Sequence, residues 1–194
     1  MQKSKTEIKL IESAKSLFWK YGLKRVTVEE ICQSAGVSKM SFYRSFKNKL
    51  AIAKEVLSLE IQESIDEFTN LYESDLSFIE KMEETIHLKL KHSDQIGMDF
   101  LHDILVHGGP EFQLFLKEKR EETSGLVSDF LKNGQKNGDI RKDLDLDLIP
   151  YITEKLSSLA SEEKMLEMYS SPRELIKEIT TFFFYGIISH PRHP

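Results

Sequence analysis

The chain has 194 residues, of which 40% are hydrophobic and 30% are charged, and its formal net charge is −5. This composition is typical of a folded globular protein and excludes an intrinsically disordered one. The single cysteine, Cys32, excludes a disulfide framework and a four-cysteine metal site. We expect Cys32 to fill a small apolar space in a reducing compartment.

The charge is divided unevenly along the chain. Residues 1–54 contain 12 Lys and Arg against 4 Asp and Glu, a net charge of +8, whereas residues 55–194 contain 15 against 28, a net charge of −13. Clustered cations attract phosphates, and an acidic remainder discourages nonspecific adhesion. The division favours a polyanion-binding head on an acidic body, although short basic N-termini are also common without that role.

No apolar stretch predicts a targeting or membrane segment. The N-terminus lacks the uninterrupted apolar region of a signal peptide. The most apolar run, residues 180–189, is far shorter than the ~20 residues that a membrane-spanning helix needs. We therefore expect a cytoplasmic protein without a membrane partner.

Apolar residues recur at spacings of three and four, and strand-like alternation is almost absent, which predicts an all-α fold of about nine helices. The first helix ends at Gly22. Thr27 and Glu30 have the spacing of a capping box, which begins a short second helix. Gly36 can adopt the left-handed conformation that turns the chain. Ser38 then caps a short third helix.

A long fourth helix follows, with Asn48 as its cap. Beyond it, the pattern predicts five further helices, over residues 76–92, 95–107, 111–136, 146–161 and 172–189. The last of these has a strong start signal, because Ser171 and Glu174 have capping-box spacing and Pro172 occupies the first helical position.

The third helix has two distinct faces when its residues are placed at 100° intervals. Phe42 and Phe46 fall 40° apart and are expected to face the core. The opposite side carries two cations, a tyrosine and a methionine, namely Met40, Tyr43, Arg44 and Lys47. Such a face suits a DNA major groove, because Arg and Lys can bind phosphates or guanine edges and Tyr can donate to phosphate oxygens. Residues 27–46 thus read as a helix-turn-helix motif.

A set of residues in the first quarter of the chain also carries a family pattern: Ala14, Phe18, Gly22, and the segments 27–31, 35–38 and 42–49. With these residues the chain resembles the TetR-type bacterial transcriptional regulators. Residues 138–145 are similar to the segment that precedes the family's eighth helix. The resemblance implies a DNA-binding domain over residues 1–48 and a ligand-binding and dimerisation domain over residues 49–194.

The resemblance further implies a repressor that binds double-stranded DNA as a homodimer, without a cofactor, and that a small-molecule effector releases from a palindromic operator. It places Thr27, Ser41, Tyr43 and Lys49 on phosphates and Lys39, Met40 and Arg44 nearest to base edges. Ser38 and Lys47 complete the predicted DNA-binding set.

The resemblance implies that the dimer contacts lie in the last two helices, and the residues there fit. Residues 182–188 are apolar around the whole helix circumference, so that one face would be left in water in a monomer. A helix buried within one subunit is the alternative. The predicted interface comprises Tyr151, Phe182, Phe183, Tyr185, Ile187 and Ile188.

The resemblance implies an effector pocket in the middle helices, although Met and Phe at helical spacing are usually ordinary core residues. The predicted pocket comprises Met82, Ile86, Met98, Phe100, Leu101, Phe112 and Phe115. Four histidines in the same region lack the spacing of a metal-ligand set, and we predict no metal at His87, His92, His102 and His107.

Two other functions remain open from the sequence. One is an all-helical enzyme that uses His102 with Asp99 or Asp103 as an acid-base pair, although no nucleophile elbow, phosphate loop or zinc signature is present and the basic head would be unexplained. The other is a helical adaptor whose head binds an acidic protein.

Overall fold

The computed structural model describes residues 3–95, 100, 103–104, 108–159 and 162–188. Within these residues the secondary structure is helical apart from one isolated bridge between Ile140 and Ile188, which confirms the all-α prediction. The helices are α1 Lys5–Arg25, α2 Val28–Ala35, α3 Lys39–Ser45, α4 Lys49–Glu73, α5 Phe78–Gln95, α6 Gly109–Asn137, a 3-10 helix Leu146–Leu148, α7 Ile149–Leu159, α8 Glu163–Glu167 and α9 Pro172–Ile187. Among the helices of this part of the chain, none is long and apolar enough to cross a membrane.

The chain packs as two compact units. The first unit comprises Met1–Ser64 and Gln95–Arg120, and the second comprises Ile65–Asp94 and Glu121–Pro194. Two long helices, α4 and α6, contribute to both units. Packing thus divides the chain at several points, and the predicted functional boundary between residues 48 and 49 stays a prediction.

Side-chain caps begin several helices where the sequence predicts them. The Thr27 side chain accepts a hydrogen bond from the Glu30 N–H at 3.2 Å, and the Glu30 carboxylate accepts one from the Thr27 N–H at 2.8 Å, which confirms the capping box of α2. At α9 the Ser171 hydroxyl accepts from the Glu174 N–H, but the Glu174 carboxylate accepts from Ser170 instead of Ser171. The reciprocal half of that predicted box is therefore wrong, because Ser170 offers both an N–H and a hydroxyl to the carboxylate.

Glycine marks two turns of the first unit. Gly22 has φ 77°, and it interrupts α1 three residues before that helix ends at Arg25. Gly36 has φ 66° and ends α2 in the left-handed conformation, which only glycine adopts without strain. The predicted turn between the second and third helices is thus confirmed.

Four fully buried phenylalanines lie in the core of the first unit: Phe18, Phe42, Phe100 and Phe112. The rings of Phe18 and Phe100 stack with their centroids 5.4 Å apart. Cys32 is buried in the same cluster, and burial raises the pKa of its thiol, so it is a small apolar filler as predicted.

The core of the second unit is organised around Phe130. Its ring stacks on Phe78 at 5.0 Å and makes edge contacts with Phe68 and Tyr72. Gly134 follows one turn later in α6, and a Cβ atom there would lie 2.5 Å from Cε2 of Phe78. The absence of a side chain at Gly134 therefore lets α5 and α6 approach each other closely.

Gly134→Ala is expected to destabilise the protein by about 1–3 kcal/mol, because the new methyl group overlaps the packed Phe78 ring. Gly125→Ala is the matched control in the same helix, since nothing lies within 4 Å of a Cβ there and alanine favours a helix by ~1 kcal/mol over glycine. Urea unfolding followed by circular dichroism measures both changes. Equal stabilisation by the two substitutions would contradict the close approach of α5 and α6.

Candidate nucleic-acid interface

The segment from α2 to α3 forms a helix-turn-helix unit whose turn is held by backbone hydrogen bonds. The N–H groups of Gly36 and Val37 donate to the carbonyls of Gln33 and Cys32, at 3.2 and 3.0 Å. The Ser38 side chain then accepts the Ser41 N–H at 3.1 Å and caps α3. The start and length of α3 are thus set by local contacts.

The inner face of α3 is anchored in the core of the first unit. Phe42 is fully buried, and Phe46 is partly buried with its ring centroid 5.8 Å from that of Phe42. The rings of Phe42 and Tyr43 make a T-shaped contact with their centroids 5.3 Å apart. Both phenylalanines lie on the predicted inner face.

The outer face of α3 is exposed. Met40 is 74% exposed and Tyr43 is 57% exposed, which is unusual for side chains of this size, and Arg44 and Lys47 are exposed beside them. Thr27, Ser38 and Lys39 are also exposed, and Ser41 is half-buried. The predicted orientation of the helix is confirmed, whereas the contacts of each residue with DNA stay predictions.

One cation of this surface has an acidic partner in the free protein. The Lys39 ammonium donates to the Glu29 carboxylate of α2. This hydrogen bond lowers the pKa of Glu29 and raises the pKa of Lys39, so both groups stay charged near neutral pH. The side chains are exposed, and water and salt can therefore compete with the pair.

Lys49 lies at the start of α4 and contacts the end of α1. Its ammonium donates to the carbonyl of Val26 at 2.7 Å and to that of Lys24 at 3.2 Å. Partial burial lowers its pKa. Lys49 thus satisfies carbonyls left open at the C-terminus of α1, a role that the sequence analysis missed. Its predicted phosphate contact stays a prediction, and one N–H of the ammonium remains for it.

Arg25 belongs to the same end of α1 and adds an exposed cation that the sequence analysis did not include. The pKa of Glu30 is lowered first by its hydrogen bonds with Thr27 and further by the charges of Arg25 and Lys49. Arg25 also contacts the face of the Tyr21 ring, at 5.1 Å from its centroid. Its place beside the N-terminus of α2 makes it a candidate phosphate contact.

The predicted effector residues lie in two separate cores. Met82 and Ile86 belong to the core of the second unit, whereas Phe100, Phe112 and Phe115 belong to that of the first. Met98 and Leu101 lie outside the described residues. A cavity of about 310 Å³ occurs instead in the second unit, and none of the five described residues lines it.

The predicted dimer residues separate into exposed and inward-facing sets. Phe182, Tyr185 and Tyr151 are 75%, 65% and 69% exposed. Ile187 is buried in the core of the second unit, and Phe183 lines the cavity. Ile188 is half-buried and pairs with Ile140 across the isolated bridge.

Three of the histidine and acidic residues considered for a metal or for catalysis are described, and they make separate contacts or none. His92 Nε2 lies 3.0 Å from the Glu67 carboxylate, and His87 is exposed. The Asp103 carboxylate accepts the backbone N–H of Lys24 at 2.7 Å. His102, His107 and Asp99 lie outside the described residues. Within the part of the chain that is described, no three His, Cys, Asp or Glu side chains are grouped closely enough to hold a metal ion.

An all-helical chain whose basic N-terminal head exposes the outer face of such a motif belongs to the class of helix-turn-helix DNA-binding regulators. Residues 10–56 match the family described as "Bacterial regulatory proteins, tetR family". The transcriptional repressor KstR2 of Mycolicibacterium smegmatis is 28% identical over 149 residues, which cover 72% of this chain and 70% of KstR2. The chain is thus a helix-turn-helix transcriptional regulator whose residues 10–56 carry the DNA-binding domain of the TetR family.

Solved structures of regulators share the fold over nearly the whole chain. FadR from Bacillus subtilis, solved in complex with stearoyl-CoA, has a TM-score of 0.72 at 18% identity, covering 93% of this chain and 98% of FadR. A transcriptional regulator from Saccharomonospora viridis, solved in complex with choline, has a TM-score of 0.75 at 16% identity, covering 97% and 100%. At these identities the likeness concerns the fold.

Lys49→Met is expected to lower the free energy of unfolding by about 1 kcal/mol, because the carbonyls of Val26 and Lys24 lose their hydrogen-bond donor. The loss is modest because the Lys49 side chain is only partly buried. Lys47→Met is the matched control, since Lys47 is exposed two residues earlier. Thermal unfolding of both variants measures the difference. Unfolding of the Lys49 variant at the midpoint of the parent would contradict the capping role.

Proposed function

We propose that this regulator represses transcription by binding a palindromic operator as a homodimer, and that a small molecule bound in the body releases it. The observation that supports the DNA contact is the burial of Phe42 beneath an α3 surface on which Tyr43 and Arg44 are exposed. A helix held from behind in this way can enter the major groove without a change in its own packing.

The chemistry of the α3 surface suits both parts of DNA recognition. Arg44 can donate two hydrogen bonds to guanine, and the Met40 side chain can contact a thymine methyl group. The hydroxyls of Tyr43 and Ser41 and the cations Lys47 and Lys49 suit phosphate oxygens, which set position without reading sequence. In this assignment Thr27 and Ser38 contact the backbone on either side of the turn.

Lys39 can have two different partners, the Glu29 carboxylate in the free protein and a phosphate group in the DNA complex. In the free protein the ammonium is neutralised by a carboxylate of α2. Near a duplex, phosphates compete for Lys39 and repel Glu29. Lys39 can leave Glu29 for a phosphate at little cost in free energy, because the ion pair is exposed. The Glu29 carboxylate would then repel the phosphates of a duplex that is bound out of register.

The homodimer is supported by the exposed aromatic face of α9. Phe182 and Tyr185 are three residues apart and lie on the same side of the helix, and large exposed apolar side chains at such a spacing are typical of an interface. Pairing across a two-fold axis would cover this face in both copies. Binding of such a dimer to a palindromic operator requires two α3 helices in successive major grooves, ~34 Å or a multiple of it apart.

Release by an effector requires that the ligand bind one dimer geometry better than another. The cavity of the second unit offers a place for such a ligand, and its volume lies at the lower end of the ~300–1,000 Å³ typical of ligand pockets. KstR2 is itself named a repressor, which supports repression over activation here.

Arg44→Ala is expected to weaken operator binding by ~1–3 kcal/mol, because it removes a cation from the outer face of α3 without touching the core. The parent should lose affinity steeply between low and physiological salt, since each phosphate contact releases a counterion. Fluorescence anisotropy with a selected operator duplex measures both effects. Lys136→Ala, which removes an exposed cation from the second unit, is the control. Operator binding by the Arg44 variant with the affinity of the parent would contradict the assignment of α3 to the DNA interface.

Phe182→Asp is expected to raise the dissociation constant of the dimer more than tenfold, because the substitution places an unpaired charge in the proposed interface. Leu114→Asp, at a 56% exposed leucine of α6, is the matched control. Sedimentation equilibrium measures the dissociation constant. An unchanged dissociation constant in the Phe182 variant would contradict an interface on this face of α9.

A further inference from the structure

The cavity of the second unit lies where α5, α7 and α9 face one another. Its volume is about 310 Å³, and among the described residues it is lined by Lys89, Thr153, Leu156, Ile176, Ile179, Thr180 and Phe183. Four of these seven side chains are aliphatic or aromatic hydrocarbons. The cavity therefore favours a ligand with a substantial apolar part.

The two threonines of the lining offer acceptors, because their hydroxyl protons are already used. The Thr153 hydroxyl donates to the Ile149 carbonyl at 3.0 Å, and the Thr180 hydroxyl donates to the Ile176 carbonyl at 2.7 Å. Each oxygen keeps lone pairs but has no second proton. Among the described lining residues, the strong donor is therefore Lys89.

The Lys89 ammonium has no ion pair or hydrogen bond in the described part of the protein, and the side chain is solvent-accessible. The surrounding protein atoms nevertheless lower the pKa of its ammonium by desolvation. The exposed side chain and its place in the lining show that a ligand in the cavity can reach the ammonium. Lys91, two residues later, differs, since it pairs with Glu67 at 2.5 Å.

We propose that this cavity binds an apolar carboxylic acid in its anionic form, with the Lys89 ammonium as the partner of the carboxylate. The proposal rests on the proposed function, because it names the chemical class of the effector. The hydrocarbon part of the acid lies against Leu156, Ile176, Ile179 and Phe183. The carboxylate gives the Lys89 ammonium, which lines the cavity, a partner of opposite charge.

Charge distinguishes this ligand class from the alternatives. A neutral apolar molecule would displace water from Lys89 and leave the ammonium without a partner, and a cation would be repelled. A phosphate carries more charge than one ammonium neutralises, whereas a carboxylate matches it. The fold does not make this choice, since structures of the same fold were solved with stearoyl-CoA in one case and choline in another.

The test uses the full chain and three ten-carbon probes: decanoate, decanol and decylamine. Isothermal titration at neutral pH should give the tightest binding for decanoate, roughly 10- to 100-fold tighter than for decanol, and no binding of decylamine. Decanol or decylamine binding as tightly as decanoate would overturn the proposal. Failure of decanoate to bind would overturn it as well.

Two variants locate the binding. Lys89→Met keeps the length of the side chain and should reduce decanoate affinity to that of decanol, whereas Lys136→Met, at an exposed lysine of α6, should leave both unchanged. Ile179→Trp should weaken all apolar probes by filling the cavity. Parent-like decanoate binding by the Lys89 variant, with its circular dichroism intact, would overturn the assignment of Lys89.

A separate measurement distinguishes this proposal from the proposed function. Decanoate is added to the protein bound to its selected operator duplex, and anisotropy follows release. Binding of decanoate without release supports the site and contradicts its role as an effector site. Operator binding with normal salt dependence but no decanoate binding supports the regulator and overturns the ligand class.

Discussion

The proposed DNA-binding surface depends on the packing of the Phe42 ring in the core of the first unit. Phe42 is fully buried, and truncation of a phenylalanine at such a position typically costs ~3–5 kcal/mol. A seven-residue helix has little stability of its own, so this ring and Phe46 hold α3 against the rest of the first unit. Helix geometry then directs Met40, Tyr43 and Arg44 outward.

The cations of the head serve different purposes although they look alike in the sequence. The Lys49 ammonium donates hydrogen bonds to two carbonyls at the end of α1 and thereby stabilises the head itself. Lys39 is paired with Glu29 and exposed, and Arg44 and Lys47 are exposed on the outer face. A net charge of +8 over residues 1–54 therefore overstates what a duplex can contact directly, since part of it is engaged within the head.

The second unit combines an exposed aromatic face and a cavity on one helix. The exposed side of α9 carries Phe182 and Tyr185, and its inward side contributes Ile176, Ile179 and Phe183 to the cavity wall. A ligand that shifts α9 from inside would alter the face through which we propose that two copies pair. This arrangement gives the proposed effector a direct physical route to the dimer geometry.

The sequence by itself determined the all-α fold, the capping box at Thr27, the glycine turn at Gly36 and the two faces of α3, because each depends on residues within about one helical turn of each other. Only the tertiary structure decided the contacts of residues far apart in the chain. It placed Lys49 on the end of α1, divided the predicted effector residues Met82 and Phe112 between two cores, and turned Ile187 inward while Phe182 stayed exposed. It also brought Lys89 to a cavity formed with residues 153–183, a grouping that helical periodicity does not encode because every helix with an apolar stripe has several possible neighbours.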